Sequence, residues 1–158
     1  MTGIDPAQTP FRLAVRRSRI HRLGVFAGEA IPPGRKVIEF TGERMTFDKA
    51  RRRWNPRLNY LFAVEPNVIV DGSAGGSGAQ FINHSCAPNL RARYLRGHLL
   101  YFSCRRISKG EELTVDYRYA GGGKEKYPCR CGAPTCRGTM ILARRDTRGS
   151  RAPRQPGS

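Results

Sequence analysis

Nowhere in these 158 residues do eighteen apolar residues run together, and that absence excludes a membrane-spanning helix. The first ten residues, Met1 to Pro10, are polar and broken by proline, with no apolar stretch, so neither a secretory signal nor a membrane partner is expected. Acid is scarce as well. Twelve Asp and Glu stand against twenty-nine Lys and Arg, most of them arginine, for a formal charge of +17. A surface so unbalanced attracts polyanions, which makes nucleic acid a candidate partner. The chain also lacks an even cysteine count. Of its five cysteines, three crowd into Cys129-x-Cys131-x-x-x-x-Cys136, a spacing too tight for easy mutual disulfides and suited to wrapping one ion. A reducing, intracellular compartment is therefore expected, cytoplasmic or nucleus-associated. From Ala143 onward almost nothing apolar remains, so residues 143–158 are expected to form a disordered Arg-rich tail.

What the chain does have is a series of short runs rich in Val, Ile, Phe and Tyr between Gly and Pro punctuation. They are Arg12 to Val15, Gly24 to Ala27, Lys36 to Phe40, Tyr60 to Val64, Val68 to Val70, Leu99 to Ser103 and Leu113 to Tyr117. This pattern predicts a mainly β fold of many short strands. Two strands share an entry, Ile31-Pro-Pro-Gly34 and Ile107-Ser-Lys-Gly110, where a glycine supplies the positive φ of a tight turn. One stretch reads as helix: Thr46 is a good N-cap, Phe47 to Trp54 lacks Gly and Pro, and Asn55-Pro56 ends it. The length allows one folded unit.

Two segments are unusually polar for a β protein: Phe81-Ile82-Asn83-His84-Ser85-Cys86-Ala87-Pro88-Asn89 and Gly110-Glu111-Glu112-Leu113-Thr114-Val115-Asp116-Tyr117. Both resemble the signature motifs of the SET-domain family of protein lysine methyltransferases. The likeness continues through Ile20 to Ala27, Phe40-Thr41-Gly42-Glu43, Tyr60-Leu61-Phe62 with Val70-Asp71, and a post-SET-like segment holding Cys129, Cys131 and Cys136. It spans about residues 11–140 in the family's order. The resemblance implies a SET domain at 11–120, built of several small curved sheets with a pseudoknot-like crossing of the two C-terminal motifs and few short helices. It further implies a zinc-bound post-SET segment at 121–142; no cysteine-rich pre-SET segment is present.

Methyl transfer from a sulfonium is an in-line displacement, so a protein must exclude water, align the amine and accept it deprotonated. A free lysine titrates near 10.4, which calls for desolvation and a well-placed hydroxyl rather than a strong base. By the resemblance, Tyr117 is the catalytic residue. His21, Leu23, Gly24, Tyr60, Asn83, His84 and Arg130 hold S-adenosylmethionine, with Gly24 letting the backbone approach it closely. Cys86, Cys129, Cys131 and Cys136 hold a structural zinc. Four thiolates close a tetrahedral site and leave no position for water. Cys104, within an apolar strand, is expected to be a buried free thiol. Zinc nucleobase deamination is excluded, because none of the three histidines begins a His-x-Glu and Pro128-Cys129 continues as Cys-x-Cys.

Three positions depart from the family pattern. Arg22 stands where the first glycine of Gly-x-Gly is usual, Gln80 replaces an arginine, and Val115 takes a place commonly held by Phe or Tyr, where ring size and hydroxyl tune how many methyl groups are added. The small valine implies room for multiple methylation. The expected substrate is a protein bearing a lysine, histone-like or otherwise associated with nucleic acid. The alternative is a catalytically inactive SET-like module that binds nucleic acid or protein through its basic surface.

Overall fold

The computed structural model describes residues 3–55, 60–119 and 127–142. The tail at 143–158 and the Pro56 helix stop lie outside them. The expected apolar runs all fall on strands: β1 (Leu13–Arg17), β2 (Leu23–Ala27), β3 (Lys36–Phe40), β4 (Glu43–Met45), β5 (Leu61–Glu65), β6 (Val68–Asp71), β7 (Asn83–His84), β8 (Leu90–Leu95), β9 (His98–Ser103) and β10 (Glu112–Val115). The only α-helix among the described residues is α1 (Phe47–Arg53). Its N-cap is Thr46, whose hydroxyl accepts from the Lys49 amide at 3.4 Å, and three arginines in its last turn complement the helix dipole.

A mixed sheet runs in the order β1-β2-β10-β8-β9-β3, with β7 also on β10, and a smaller antiparallel sheet runs β4-β6-β5. Ala50 of α1 packs with Met45 and Ile69 over the smaller sheet. The larger core is built from alternate residues of the strands, among them Val25, Ile38, Leu99 and Leu113, all buried.

The two look-alike turns prove to be partners. Ile31 and Ile107 form an antiparallel bridge with both amide-to-carbonyl bonds at 2.9 Å, and neither side chain is exposed. Gly34, at φ 74°, donates to the Ser103 carbonyl, and Gly110, at φ 84°, donates to the Ala27 carbonyl. Each acceptor lies four residues before the other turn's isoleucine, so the devices lock together about a local pseudo-two-fold axis.

β8 escaped the sequence reading because Arg91, Arg93 and Leu95 alternate with nothing that must be buried; only Leu90 is in the core. Its existence is settled by six-residue pairing with β9 and by the two-residue turn Arg96-Gly97, both at positive φ as a type I′ hairpin requires. Cys104 needs correcting. It follows the end of β9 and is exposed, not buried in a strand. The core-facing alternation of Leu99, Tyr101 and Ser103 leaves the next residue pointing away from the core.

The two C-terminal motifs meet as expected. β10 lies parallel to β7, Thr114 beside Asn83 and Val115 beside His84, and parallel to β8 through Val115 and Leu90. Asn89 stitches them: its amide donates to the Glu111 carboxylate and the Glu112 carbonyl at 2.9 and 2.8 Å, and its oxygen accepts from the Thr114 amide at 2.9 Å. The ladder stops at Val115 because the Tyr117 amide turns to a side chain instead, the Nδ1 of His84 at 3.1 Å.

Candidate active site and metal centre

Beside the crossing of the two motifs lies a cavity of about 660 Å³. Of the residues singled out by sequence, His21, Leu23, Tyr60, Asn83, His84, Tyr117 and Arg130 line it, and so do Cys129 and Cys131. Cys86 and Cys136 stand behind that wall with the other thiols. Gly24 does not reach the cavity. A Cβ there would meet the Glu112 carboxylate at 2.3 Å, so this glycine clears space for an acid.

That acid is a residue the sequence reading passed over. Glu112 accepts from Ser18 Oγ at 2.8 Å and from Asn83 Nδ2 at 2.9 Å. Ser18 Oγ in turn accepts from the Ile20 amide at 2.9 Å, and Asn83 Nδ2 also donates to the carbonyls of Leu23 and His21 at 2.9 and 3.2 Å. One carboxylate and one amide thus fix the loop from Ser18 to Leu23 along the cavity edge. Nothing in a Gly-Glu-Glu doublet announces this, because Glu112 and Ser18 meet only when β10 pairs with β2.

Arg22 sits in that loop at φ 41°, in the left-handed region, with its side chain exposed. The backbone therefore keeps a glycine-type conformation without the glycine, at a cost of about 1–2 kcal/mol for an L-residue. Arg22→Gly should relieve that strain and lose part of the gain to a more flexible unfolded chain. Thermal unfolding should place it between equal stability and about 1 kcal/mol gain, whereas Arg22→Val should lose more than 1 kcal/mol. A glycine variant clearly less stable than the parent would refute the strain.

Tyr117 is packed among Phe62, His84 and Tyr119, with ring centroids 5.4 to 6.3 Å apart, and Tyr119 packs at a tilt against Tyr127 at 4.8 Å. Its hydroxyl donates to the Ile82 carbonyl at 2.8 Å, and burial pushes its pKa far above the ordinary tyrosine value. Tyr119 is raised to about 12, chiefly by burial. These phenols stay protonated, and with its proton committed to Ile82 the Tyr117 oxygen keeps lone pairs for an incoming N–H.

His84 is buried, and burial lowers its pKa. Since Nδ1 accepts from the Tyr117 amide, the neutral ring carries its proton on Nε2, which faces Cys86 Sγ at 3.4 Å. Asp116, 3.5 Å from Nδ1, is engaged instead by Arg137 at 2.9 Å.

The four sulfurs of Cys86, Cys129, Cys131 and Cys136 lie within 4.8 Å of one another, and Cys86 and Cys129 are 3.7 Å apart. A tetrahedral Zn–S₄ centre with bonds of 2.3 Å separates its sulfurs by about 3.8 Å. The surroundings suit thiolates. Amides of Cys86, Arg137 and Gly138 point at Cys131, Cys86 and Cys136 at 3.4 to 3.5 Å. Burial alone would raise Cys131, yet N–H groups of Cys86 and Ala133 and the neighbouring thiols hold it down to about 6, while burial keeps the Cys86 and Cys129 thiols above their ordinary value. The Arg137 guanidinium lies alongside, its Nε buried without a hydrogen-bond acceptor. The residues fit a zinc ion in number, spacing and charge.

The crossing motifs, the aromatic cavity and the adjoining four-cysteine centre together define a SET-type fold, and the SET domain family model matches residues 22–118. The chain belongs to the SET-domain family. It is 44% identical over 133 residues to a protein of Schizosaccharomyces pombe named histone-lysine N-methyltransferase, H3 lysine-4 specific. It is 39% identical over 134 residues to histone-lysine N-methyltransferase trithorax of Drosophila virilis, and 37% identical over 136 residues to the H3 lysine-4 specific enzyme of Saccharomyces cerevisiae. These matches cover 78%, 79% and 78% of this chain but only 14%, 4% and 13% of the relatives. No helix among the described residues is long and apolar enough to cross a membrane.

Proposed function

We propose that this chain is a protein-lysine N-methyltransferase domain that uses S-adenosylmethionine and acts on a lysine of a histone-like protein, with the SET domain at 11–120 and a zinc-bound post-SET segment at 121–142. The observation that carries the reading is the convergence of Tyr117, Asn83, His84 and His21 on one cavity whose far wall contains two of four clustered cysteines. When bound, S-adenosylmethionine supplies an electrophilic methyl: the amine lone pair forms the N–C bond as the S–C bond breaks, the neutral thioether leaves, and a proton departs from the new ammonium.

The chain's own residues do the rest. The loop held by Glu112, with Asn83, His84, Tyr60 and Arg130, offers backbone and side-chain polar groups for the adenosyl and amino-acid ends. Tyr117, Tyr119 and Phe62 exclude water and so favour the neutral amine over the ammonium. The Tyr117 oxygen accepts an N–H of that amine and aims its lone pair. Cys86, Cys129, Cys131 and Cys136 would hold zinc, whose closed thiolate shell supplies structure rather than reactivity.

The names of the relatives support a histone H3 tail as substrate and a nuclear setting. A basic tail is repelled by a basic enzyme, and a tail presented on nucleic acid removes the conflict, because the exposed Arg91, Arg93 and Arg96 of the β8–β9 hairpin would face phosphate.

The test is calorimetric titration of the zinc-loaded protein with S-adenosylmethionine, beside Asn83→Ala. Micromolar binding is expected, weakened at least tenfold in the variant, because the loop loses its shared amide. Absence of binding by the folded, zinc-loaded protein would overturn the reading and leave a non-catalytic module that binds nucleic acid or protein.

A further inference from the structure

Val115 does not line the cavity. It is 3% exposed, lies in the main core, and pairs with Leu90 and His84. The size of residue 115 therefore does not measure the room around the reacting amine. A different side chain occupies that ground. Tyr101, on the core-facing side of β9 and 2% exposed, does line the cavity, together with Tyr117 and Tyr119.

The register shows how it gets there. β8 runs parallel to β10 with Leu90 beside Val115, so the direction from Leu90 to Ala92 on β8 is the direction from Val115 to Tyr117. Ala92 faces Tyr101 across the β8–β9 pair. Tyr101 therefore stands across β8 from the end of β10, separated from the segment that leads to Tyr117 by a residue with only a methyl for a side chain. Ala92 is exposed, so that gap opens outward. Burial raises the Tyr101 pKa well above the ordinary value, with Tyr94, Tyr117 and Tyr119 adding to it, so the group is a neutral hydroxyl close to the other phenols.

We infer that Tyr101 is the specificity-determining residue for methyl number: its hydroxyl, set opposite Tyr117, holds the amine and limits how many methyl groups it receives. The inference rests on the methyltransferase reading. The physical basis is a count of donors and volume. An unmodified amine has N–H groups to share between two tyrosine oxygens. Each methyl removes a donor and adds bulk, until the substituted nitrogen can no longer turn its lone pair to the methyl source without pressing a methyl group on an oxygen that has no partner. Where position 115 has lost its ring, β9 provides one.

The experiment compares the zinc-loaded protein with Tyr101→Phe and Val115→Ala, using synthetic histone H3 amino-terminal peptides with unmodified, monomethyl or dimethyl lysine 4, read by mass spectrometry at full conversion. The parent is expected to stop at mono- or dimethyl product. Tyr101→Phe should go at least one methyl further and turn over the dimethyl peptide at least tenfold faster than the parent does. Val115→Ala, checked for folding by circular dichroism, should leave the product pattern alone. An unchanged pattern in Tyr101→Phe, trimethyl product already from the parent, or a shift in Val115→Ala alone would overturn the assignment. No transfer to any of the peptides by a folded parent that binds S-adenosylmethionine would overturn the H3 substrate and this inference with it, while absence of cofactor binding would instead bring down the methyltransferase reading itself.

Discussion

Zinc removal, or Cys129→Ser, is expected to abolish cofactor binding while leaving most of the strand structure in place. Structural zinc sites contribute about 10–16 kcal/mol of apparent binding free energy in small peptides, and that energy orders the segment carrying the ligands. Here three of the clustered thiols come from residues 129–136 and the fourth, Cys86, from the centre of the fold, so a bound zinc would join the two. The same segment contributes Cys129, Arg130 and Cys131 to the cavity. A second link runs inward, because His84 faces Cys86 Sγ with Nε2 and receives the Tyr117 amide on Nδ1. Metal analysis should find one zinc per chain. Titration after chelation should show S-adenosylmethionine affinity reduced at least a hundredfold, with the far-ultraviolet spectrum of the sheets largely retained. Undiminished affinity in metal-free protein would show that the cysteine cluster is not what orders this wall.

Tyr117→Phe should lower kcat by about a hundredfold or more, the usual scale for removing a group that acts on the reacting atoms, with the S-adenosylmethionine Kd changed less than about threefold. The ring contacts to Phe62, His84 and Tyr119 survive the substitution. What goes is the hydroxyl, which leaves the Ile82 carbonyl without its donor at a stability cost of about 1–3 kcal/mol. Single-turnover methylation and thermal unfolding separate the two effects. A rate unchanged in a folded variant would make Tyr117 a core residue only.

Much of this site is legible along the chain. The cavity brings together His21, Leu23, Tyr60, Asn83, His84, Tyr117 and Arg130 because the motif around each is a local device: a loop, a strand end, or a cysteine-flanked turn. Cys129, Cys131 and Cys136 are legible for the same reason, thiolate spacing being a short-range property, whereas Cys86, 43 residues before Cys129, is reached only through the family resemblance. Three features are not. Gly24 reads as space for a ligand, yet the space belongs to Glu112, a partner 88 positions away in sequence. Cys104 reads as buried because its neighbours are apolar, but the strand ends one residue earlier. β8 hides because alternation signals a strand only where one face must be buried, and most of β8 is exposed on both.

The sequence by itself determined the fold class, the positions of the motifs and the identity of the polar groups, since periodicity, turn chemistry and ligand type are written in neighbouring residues. Tertiary structure alone decided which of those groups meet. The parallel pairing of β10 with β7 sets Tyr117 against His84, its antiparallel pairing with β2 carries Glu112 to Ser18 and Asn83, and the β8–β9 pairing places Tyr101 rather than Val115 at the cavity. The reason is geometric. Side chains on a strand alternate between faces, so a single residue of register decides which of two neighbours reaches the cavity, and register between distant strands is fixed by packing the whole core.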